Sequence, residues 1–373
     1  MSTPMQPIDD LTKALAGAYP ELATVREAAS EERVYLVGGS VRDLLLGRGR
    51  ADIDLVVAGD AAGLAARLGA GVVEHERFAT AKVRLDGHEV DIAAARAETY
   101  PKPGALPVVE PAADVATDLG RRDFTINAMA IPLLGEPRLI DPYGGRGDLA
   151  AGLLRVLHPR SFADDPTRAL RAARYAARFG FELEPETAGL LREASLGTVS
   201  ADRQEAELLR LAAEPDAARG FELLASWGLV EPRPGGVVLA GRVAELLSAP
   251  PWKGTAPRGR SVLSAALGSP GREEGLAASR PERPSQAVEL ARRSDHVELV
   301  LARAMGAEWL DRYLVEWRPV ALEIDGEDLI AAGVPEGPAV GRGLAEALRG
   351  KLDGEVAGRE QELAAALAAA RGS

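Results

Sequence analysis

The apolar and polar positions of this chain change their period near residue 150. Before it, short apolar runs alternate with glycine and charged punctuation. "VYLVGG" (34–39) predicts a buried strand, "SVRDLLLG" (40–47) a short helix after it, and "DIDLVV" (52–57) the next strand. "DAAGLAARLGA" (60–70) has helical spacing, while "AKVRLDG" (81–87) and "HEVDIAAA" (88–95) predict a hairpin around Asp86 and Gly87. A helix over about residues 8 to 29 precedes them, and "TINAMAI" (125–131) and "RLIDPYGG" (138–145) close the region. Beyond it the period is helical almost throughout, in "DPTRALRAARYAARFGF" (165–181), "EAELLRLAAE" (205–214), "AARGFELLASWGLV" (217–230), "VGRGLAEALRGKL" (340–352) and "GREQELAAALAAAR" (358–371). The expected fold class is α+β, a mixed sheet with helices followed by an all-helical second part. Residues 249–284, rich in Pro, Gly, Ser and Arg, read as including a mobile connection.

Composition narrows the chemistry. The 373 residues are 46% hydrophobic, enough for several cores. Without cysteine, disulfides and thiolate zinc sites are excluded, and four scattered histidines (His75, His88, His158, His296) make a poor imidazole metal centre. Any metal has to be held by carboxylates. No signal peptide and no membrane-length apolar run is legible, so a cytoplasmic protein with no membrane partner is expected. A net charge of −12 argues against a general nucleic-acid coat but leaves room for a local basic stripe that binds one RNA.

In a strand, alternate side chains share a face, so Asp52 and Asp54 point the same way with Ile53 opposed. Two carboxylates on one face repel unless a cation sits between them, and Mg²⁺ completed by phosphate oxygens and water is the usual partner. Gly38 and Gly39, between strand and helix, allow the backbone to come close to an anion, and Arg42 adds positive charge. Alone, either feature reads more simply as a tight turn or a pair of surface acids; found together within 17 residues, the two readings draw level. Asp91, mid-strand among apolar neighbours, is costly to bury unpaired; it could be a third metal ligand or a base, or an acid at the sheet edge paired with Arg84 or Arg96.

Four segments together resemble one family. "LVGGSVRDLLLG" with "DIDLVV", "RRDFTINAMA" (121–130), "LIDPYGGRGDL" (139–149) and "DDPTRALRAARYAARFGF" (164–181) are similar, in order, to the motifs of the class II tRNA nucleotidyltransferase and bacterial poly(A) polymerase family, within the DNA polymerase beta superfamily. The resemblance implies a polymerase-beta-like head over residues 1–150, then a helical neck (151–235), body (236–300) and tail (301–373). It implies Asp52 and Asp54 as ligands of two catalytic metals, with Asp91 as the third carboxylate. Gly38, Gly39 and Arg42 would hold the triphosphate, Arg122 and Asp123 would contact phosphates and ribose, and Asn127 would brace the site. In the implied chemistry one Mg²⁺ activates an RNA 3′-hydroxyl and another steadies the departing pyrophosphate, with no covalent enzyme intermediate.

At roughly 100° per residue, Asp165 and Arg168 lie about 60° apart on one helix face and can reach one planar ligand. A carboxylate accepts from the exocyclic amine of C or A, and a guanidinium donates to the ring acceptors of either. An ordinary ion pair is the plainer alternative. The resemblance makes the pair a protein template that selects CTP and then ATP. Asp164 stands where the family most often has Glu, which puts a bracing contact to Arg168 or Arg171 in doubt. Arg171, Arg174 and Arg178 fall in a sector of about 60°, a basic stripe suited to triphosphate and RNA phosphates.

The 21 residues "AETYPKPGALPVVEPAADVAT" (97–117), with four prolines, read as a semi-rigid loop over the site. In the family such a loop accompanies the switch from C to A and is shortened in enzymes that add only CC. The chain ends without the basic extension of poly(A) polymerases. The expected function is therefore template-independent CCA addition to tRNA from CTP and ATP, with contacts to the tRNA 3′ end and its acceptor and T arms and no DNA partner. The alternatives are an A-adding enzyme that depends on a CC-adding partner, a poly(A) polymerase, and an inactive RNA-binding relative.

Overall fold

The computed structural model describes residues 11–30, 32–48, 52–69, 73–75 and 80–372. They form two compact units, divided after Val230.

In the first unit, helices α1 (Leu11–Ala18) and α2 (Leu22–Ala28) stand where one helix was expected; Pro20 interrupts them, since proline lacks the N–H a continuing helix needs. Residues 8–10 of the expected helix lie outside the described residues. Strand β1 (Arg33–Val37) leads into α3 (Gly39–Leu45), β2 (Ile53–Ala58) into α4 (Ala61–Arg67), and β3 (Val73–His75), β4 (Thr80–Leu85) and β5 (His88–Ala94) follow. Residue 70, at the end of the helical spacing read there, lies outside the described residues. The β4–β5 turn places Asp86 and Gly87 at φ 48° and 82°, the left-handed geometry of a tight hairpin. After β6 (Arg96–Thr99), β7 (Val108–Pro111) and α5 (Val115–Gly120), strand β8 (Ala130–Pro132) completes a six-stranded sheet ordered β3-β4-β5-β2-β1-β8. The β2–β5 pair is parallel and the others antiparallel, so the sheet is mixed, as expected.

Alternation along the central strands sorts core from site. Val34, Leu36, Ile53, Leu55, Val57, Val90 and Ile92 face a single core with α1 to α4. Each of the larger side chains contributes on the order of 2 kcal/mol by leaving water. The intervening positions, Asp54 and Asp91 among them, project from the other face, where Val56 and Ala58 pack on α5. The proline-rich stretch is a loop only over residues 100–107: on either side β6 and β7 pair as an antiparallel hairpin, and Asp114 caps α5 by accepting from the Thr117 N–H.

The chain then forms α6 (Gly145–Ala151), a two-stranded pair of β9 (Leu153–Leu154) and β10 (Glu182–Leu183), α7 (Ser161–Asp164) and α8 (Thr167–Phe179). Helix α8 starts just after Pro166 and stops at Gly180 in the left-handed conformation, the usual order of start and stop residues. Its Ala169, Ala172, Tyr175, Ala176 and Phe179 join the sheet's own core, and α9 (Pro185–Leu191), α10 (Ala201–Ala212) and α11 (Ala217–Ser226) complete the unit.

The second unit is helical: α12 (Gly236–Leu246), α13 (Arg258–Leu267), α14 (Arg272–Ala278), α15 (Pro284–Ala291), α16 (His296–Ala304), α17 (Trp309–Arg312), α18 (Gly326–Ala331), α19 (Pro338–Leu352) and α20 (Gly358–Arg371). Residues 249–284 are not a mobile connection. They hold α13 and α14, bury Trp252, Val262 and Ala265, and tie the Trp252 indole N–H to Asp311 at 2.7 Å. Burial overrides the Pro and Gly content there. Helices α19 and α20 cross closely because Gly343 has no side chain; a Cβ would lie 2.6 Å from the Ala366 carbonyl oxygen. Among the described residues no helix is long and apolar enough to cross a membrane.

Candidate active site

The turn from β1 into α3 is the first wall of the site. Gly38 holds φ 68°, a conformation that favours glycine, and a Cβ there would lie 2.6 Å from Nη1 of Arg122 and displace that side chain's tip. Ser40, fully buried, donates its hydroxyl to the Asp52 carbonyl at 2.6 Å and accepts the Asp54 N–H at 3.1 Å. That hydroxyl fixes the backbone on both sides of Ile53. Asp52 itself is exposed and Asp54 partly buried, and Asp54 stands in register with Asp91 on β5. Residues 49–51 of the motif lie outside the described residues.

These carboxylates oppose one another. Burial pushes Asp54 up to about 6 from the ordinary 3.8, with Asp91 and Asp52 adding to the rise against Arg122 and Arg42. Asp91 is likewise raised, first by burial, while Lys82 on β4 at 3.7 Å pulls it down. Its strand is interior, so it is neither an edge acid nor a partner of Arg84 or Arg96, which pair with Glu89 and Glu98. Among the described residues no group of three or more acids or histidines could cage a metal ion by itself. A pair of hard oxygen donors does fit Mg²⁺, which takes few protein ligands and completes its shell with phosphate and water.

The second wall is "RRDFTINAMA". Asp118 on α5 accepts from Arg121 at 2.9 Å and Arg122 at 3.0 Å. Burial works to raise Asp118, but Arg122 and Arg121 outweigh it and hold it low. Asp123 accepts from the Asn127 amide at 2.9 Å and from Arg171 Nε at 2.7 Å; these outweigh its burial and keep it well below the usual carboxylate range. Asn127 in turn accepts from Arg42 at 2.6 Å, and Arg42 also bonds Asp43 at 2.8 Å and lies 4.6 Å over Phe179.

The third wall runs from α7 into α8. Asp165 precedes the helix in an extended conformation rather than lying on its face. Its Oδ1 accepts from the Thr167 N–H (3.1 Å), the Thr167 hydroxyl (2.7 Å) and Arg203 of α10 (2.9 Å). Arg168, buried, donates to the Ser161 hydroxyl at 2.7 Å and the Arg121 carbonyl at 2.8 Å. Asp164 pairs with Arg160 at 3.1 Å, not with Arg168 or Arg171. The arginine stripe is no free basic face: Arg171 meets Asp123 and Glu207, Arg174 meets Glu207 and Glu214, and Arg178 meets Asp43 and Glu214.

Gly39, Arg42, Asp54, Arg122, Asp123, Asn127, Asp165, Arg168, Arg171 and Arg174 line one cavity of about 330 Å³. Gly38 touches it through Arg122, and Asp52 and Asp91 flank Asp54. Sequence reasoning missed Ser40, Glu98, Tyr100, Arg121 and Tyr175 as members or supports of the site. Arg121 and Tyr175 sat inside quoted motifs, whereas Glu98 and Tyr100 carried only strand alternation as a signal.

A mixed sheet with an Asp-x-Asp strand, a glycine turn and an arginine-rich helix around one polar cavity is the build of a nucleotidyltransferase head. Residues 34–155 match the poly A polymerase head domain. Over 352 residues, 90% of this chain and 89% of the relative, the sequence is 37% identical to the CC-adding tRNA nucleotidyltransferase of Deinococcus radiodurans. It is 44% identical over 218 residues to the A-adding tRNA nucleotidyltransferase of Halalkalibacterium halodurans, 54% of this chain and 51% of that one, so the match spans about half that relative's length. The fold is similar to the Thermotoga maritima CCA-adding enzyme complexed with tRNA, with TM-score 0.73 and 29% identity over 96% of this chain and 98% of that one. The chain belongs to the tRNA nucleotidyltransferase family.

Proposed function

We propose that this chain adds CCA to the 3′ end of tRNA without a nucleic-acid template, using CTP and ATP and releasing pyrophosphate. The observation that carries this reading is the single cavity in which Asp54 and the Asp165–Arg168 pair both take part. The RNA 3′-oxygen bonds to the α-phosphorus of the nucleotide, the bond to pyrophosphate breaks, and the hydroxyl proton leaves. Asp52 and Asp54 are the proposed holders of Mg²⁺, with Asp91 beside them. When bound, the ion supplies charge neutralisation at the phosphates and acidifies the hydroxyl.

Arg42 and Arg122 face the triphosphate with Gly38 and Gly39, Arg171 and Arg174 add positive charge, and Asp123 with Asn127 keeps Arg171 and Arg42 in place. At the other end Asp165 keeps Oδ2 for the exocyclic amine of C or A, and Arg168 keeps N–H groups for the ring acceptors. The head (1–150) and neck (151–235) thus carry the chemistry. The body (236–300) and tail (301–373) are assigned to the acceptor and T arms of tRNA, in the cytoplasm.

The A-adding relative favours a second reading, addition of the terminal A alone after a CC-adding partner. The 21-residue segment 97–117, of the kind the family resemblance links to the switch from C to A, supports CCA or A addition over CC addition. A sequencing gel with Mg²⁺, CTP and ATP on tRNAs ending at the discriminator base, at C and at CC separates them. Extension of all three to CCA is expected, and extension of the CC-ended tRNA alone would overturn it in favour of A addition.

A further inference from the structure

Among the described residues two aromatic rings line the cavity, and their surroundings differ. Tyr175 is already enclosed: Phe124 meets it edge-on at 5.9 Å, Phe179 stacks at 6.1 Å, and Arg174, Arg42 and Arg171 lie 4.6, 5.5 and 6.0 Å from its centroid. Tyr100 is half-buried, and the guanidinium over it among the described residues is that of Arg168, 5.9 Å away.

The Tyr100 ring is held from behind. Its hydroxyl donates to Glu98 Oε2 at 3.1 Å, while Glu98 Oε1 accepts from Arg96 at 3.1 Å and Arg121 at 2.8 Å. Burial pushes the phenol up to about 12 despite Arg168, so it stays a donor at neutral pH. A base whose edge meets Asp165 and Arg168 has two flat faces left to cover. A stacking surface suits a site that must take both C and A, because every base has a π face while only the edges differ.

We infer that Tyr100 stacks on the nucleobase of the incoming nucleoside triphosphate, beside the pair that reads its edge. The inference rests on the nucleotide-adding reading above.

The test is equilibrium binding of CTP, ATP and inorganic tripolyphosphate to the full chain and its variants. Tyr100→Leu, which keeps bulk but loses the ring, should weaken CTP and ATP by about tenfold and leave tripolyphosphate unchanged. Tyr100→Phe should stay within about threefold for both nucleotides. Tyr100→Trp should add a fluorescence change with CTP or ATP that tripolyphosphate does not cause and the wild type lacks. Nucleotide affinity unchanged in Tyr100→Leu, or an equal loss for tripolyphosphate, overturns stacking. A wild type that binds neither nucleotide would instead defeat the nucleotide-adding reading on which the inference depends.

Discussion

The two ends of the cavity are built on opposite electrostatic plans. At the strand end Asp52 is exposed, Asp54 is pushed up to about 6, and Asp91 has Lys82 only at 3.7 Å. At the helix end the charges are braced by neighbours: Asp165 holds three donors on one oxygen, Arg168 is pinned by Ser161 and the Arg121 carbonyl, and Asp123 is locked between Asn127 and Arg171. Mutually repelling carboxylates suit a site completed by cation and phosphate. A braced pair with one edge left open suits a reader that must reject near-identical bases, because fixed donors and acceptors do not rearrange to accommodate the wrong edge.

The largest break in this contrast comes from removing the strand-end charges. Asp52→Ala with Asp54→Ala should lower nucleotide incorporation on the order of 10³-fold or more while filter binding of tRNA is retained. Normal turnover would remove the carboxylates from the chemistry. Next, Arg168→Ala should cut the preference for CTP and ATP over GTP and UTP by about 10- to 100-fold, read from competing single-nucleotide extensions.

Ser40→Ala sharpens the comparison, since it leaves both carboxylates but frees their backbone. Turnover should fall about tenfold with little change in nucleotide affinity, and an unaltered kcat would make the hydroxyl a packing detail. The smallest effect lies away from both ends. Glu32 is held down to about 2 from 4.5, first by the Ser30 N–H and then by Arg67. A depressed folded value stabilises above pH 4.5 and is lost as pH falls toward 2, so stability over that window should drop less steeply in Glu32→Gln. Equal slopes in the two proteins would mean the pair adds nothing to folding.

Most of the strand end was legible because its signals are local. Alternation places Asp52 and Asp54 on one face, and the glycines mark the turn. The helix end was legible in composition but not in geometry. Asp165 reads as a residue on the helix, yet it sits before α8, where Pro166 begins the turn and Thr167 closes onto its carboxylate. The arginine stripe reads as a free basic face because its partners Asp43, Glu207 and Glu214 are distant in sequence. Likewise residues 249–284 look mobile until the burial of Trp252 and Val262 enters. Local propensity cannot report which acids or apolar faces the fold delivers from elsewhere.

The most direct measurement is one gel: extension of a CC-ended tRNA by the wild type, by the Asp52→Ala, Asp54→Ala double variant and by Arg168→Ala, with each of the four nucleoside triphosphates in turn. If the two ends have separate duties, the wild type adds A, the double variant adds nothing, and Arg168→Ala extends with the wrong bases as well. Loss of all extension in Arg168→Ala, or an unchanged choice of A, would contradict the division of the cavity into a reacting end and a reading end.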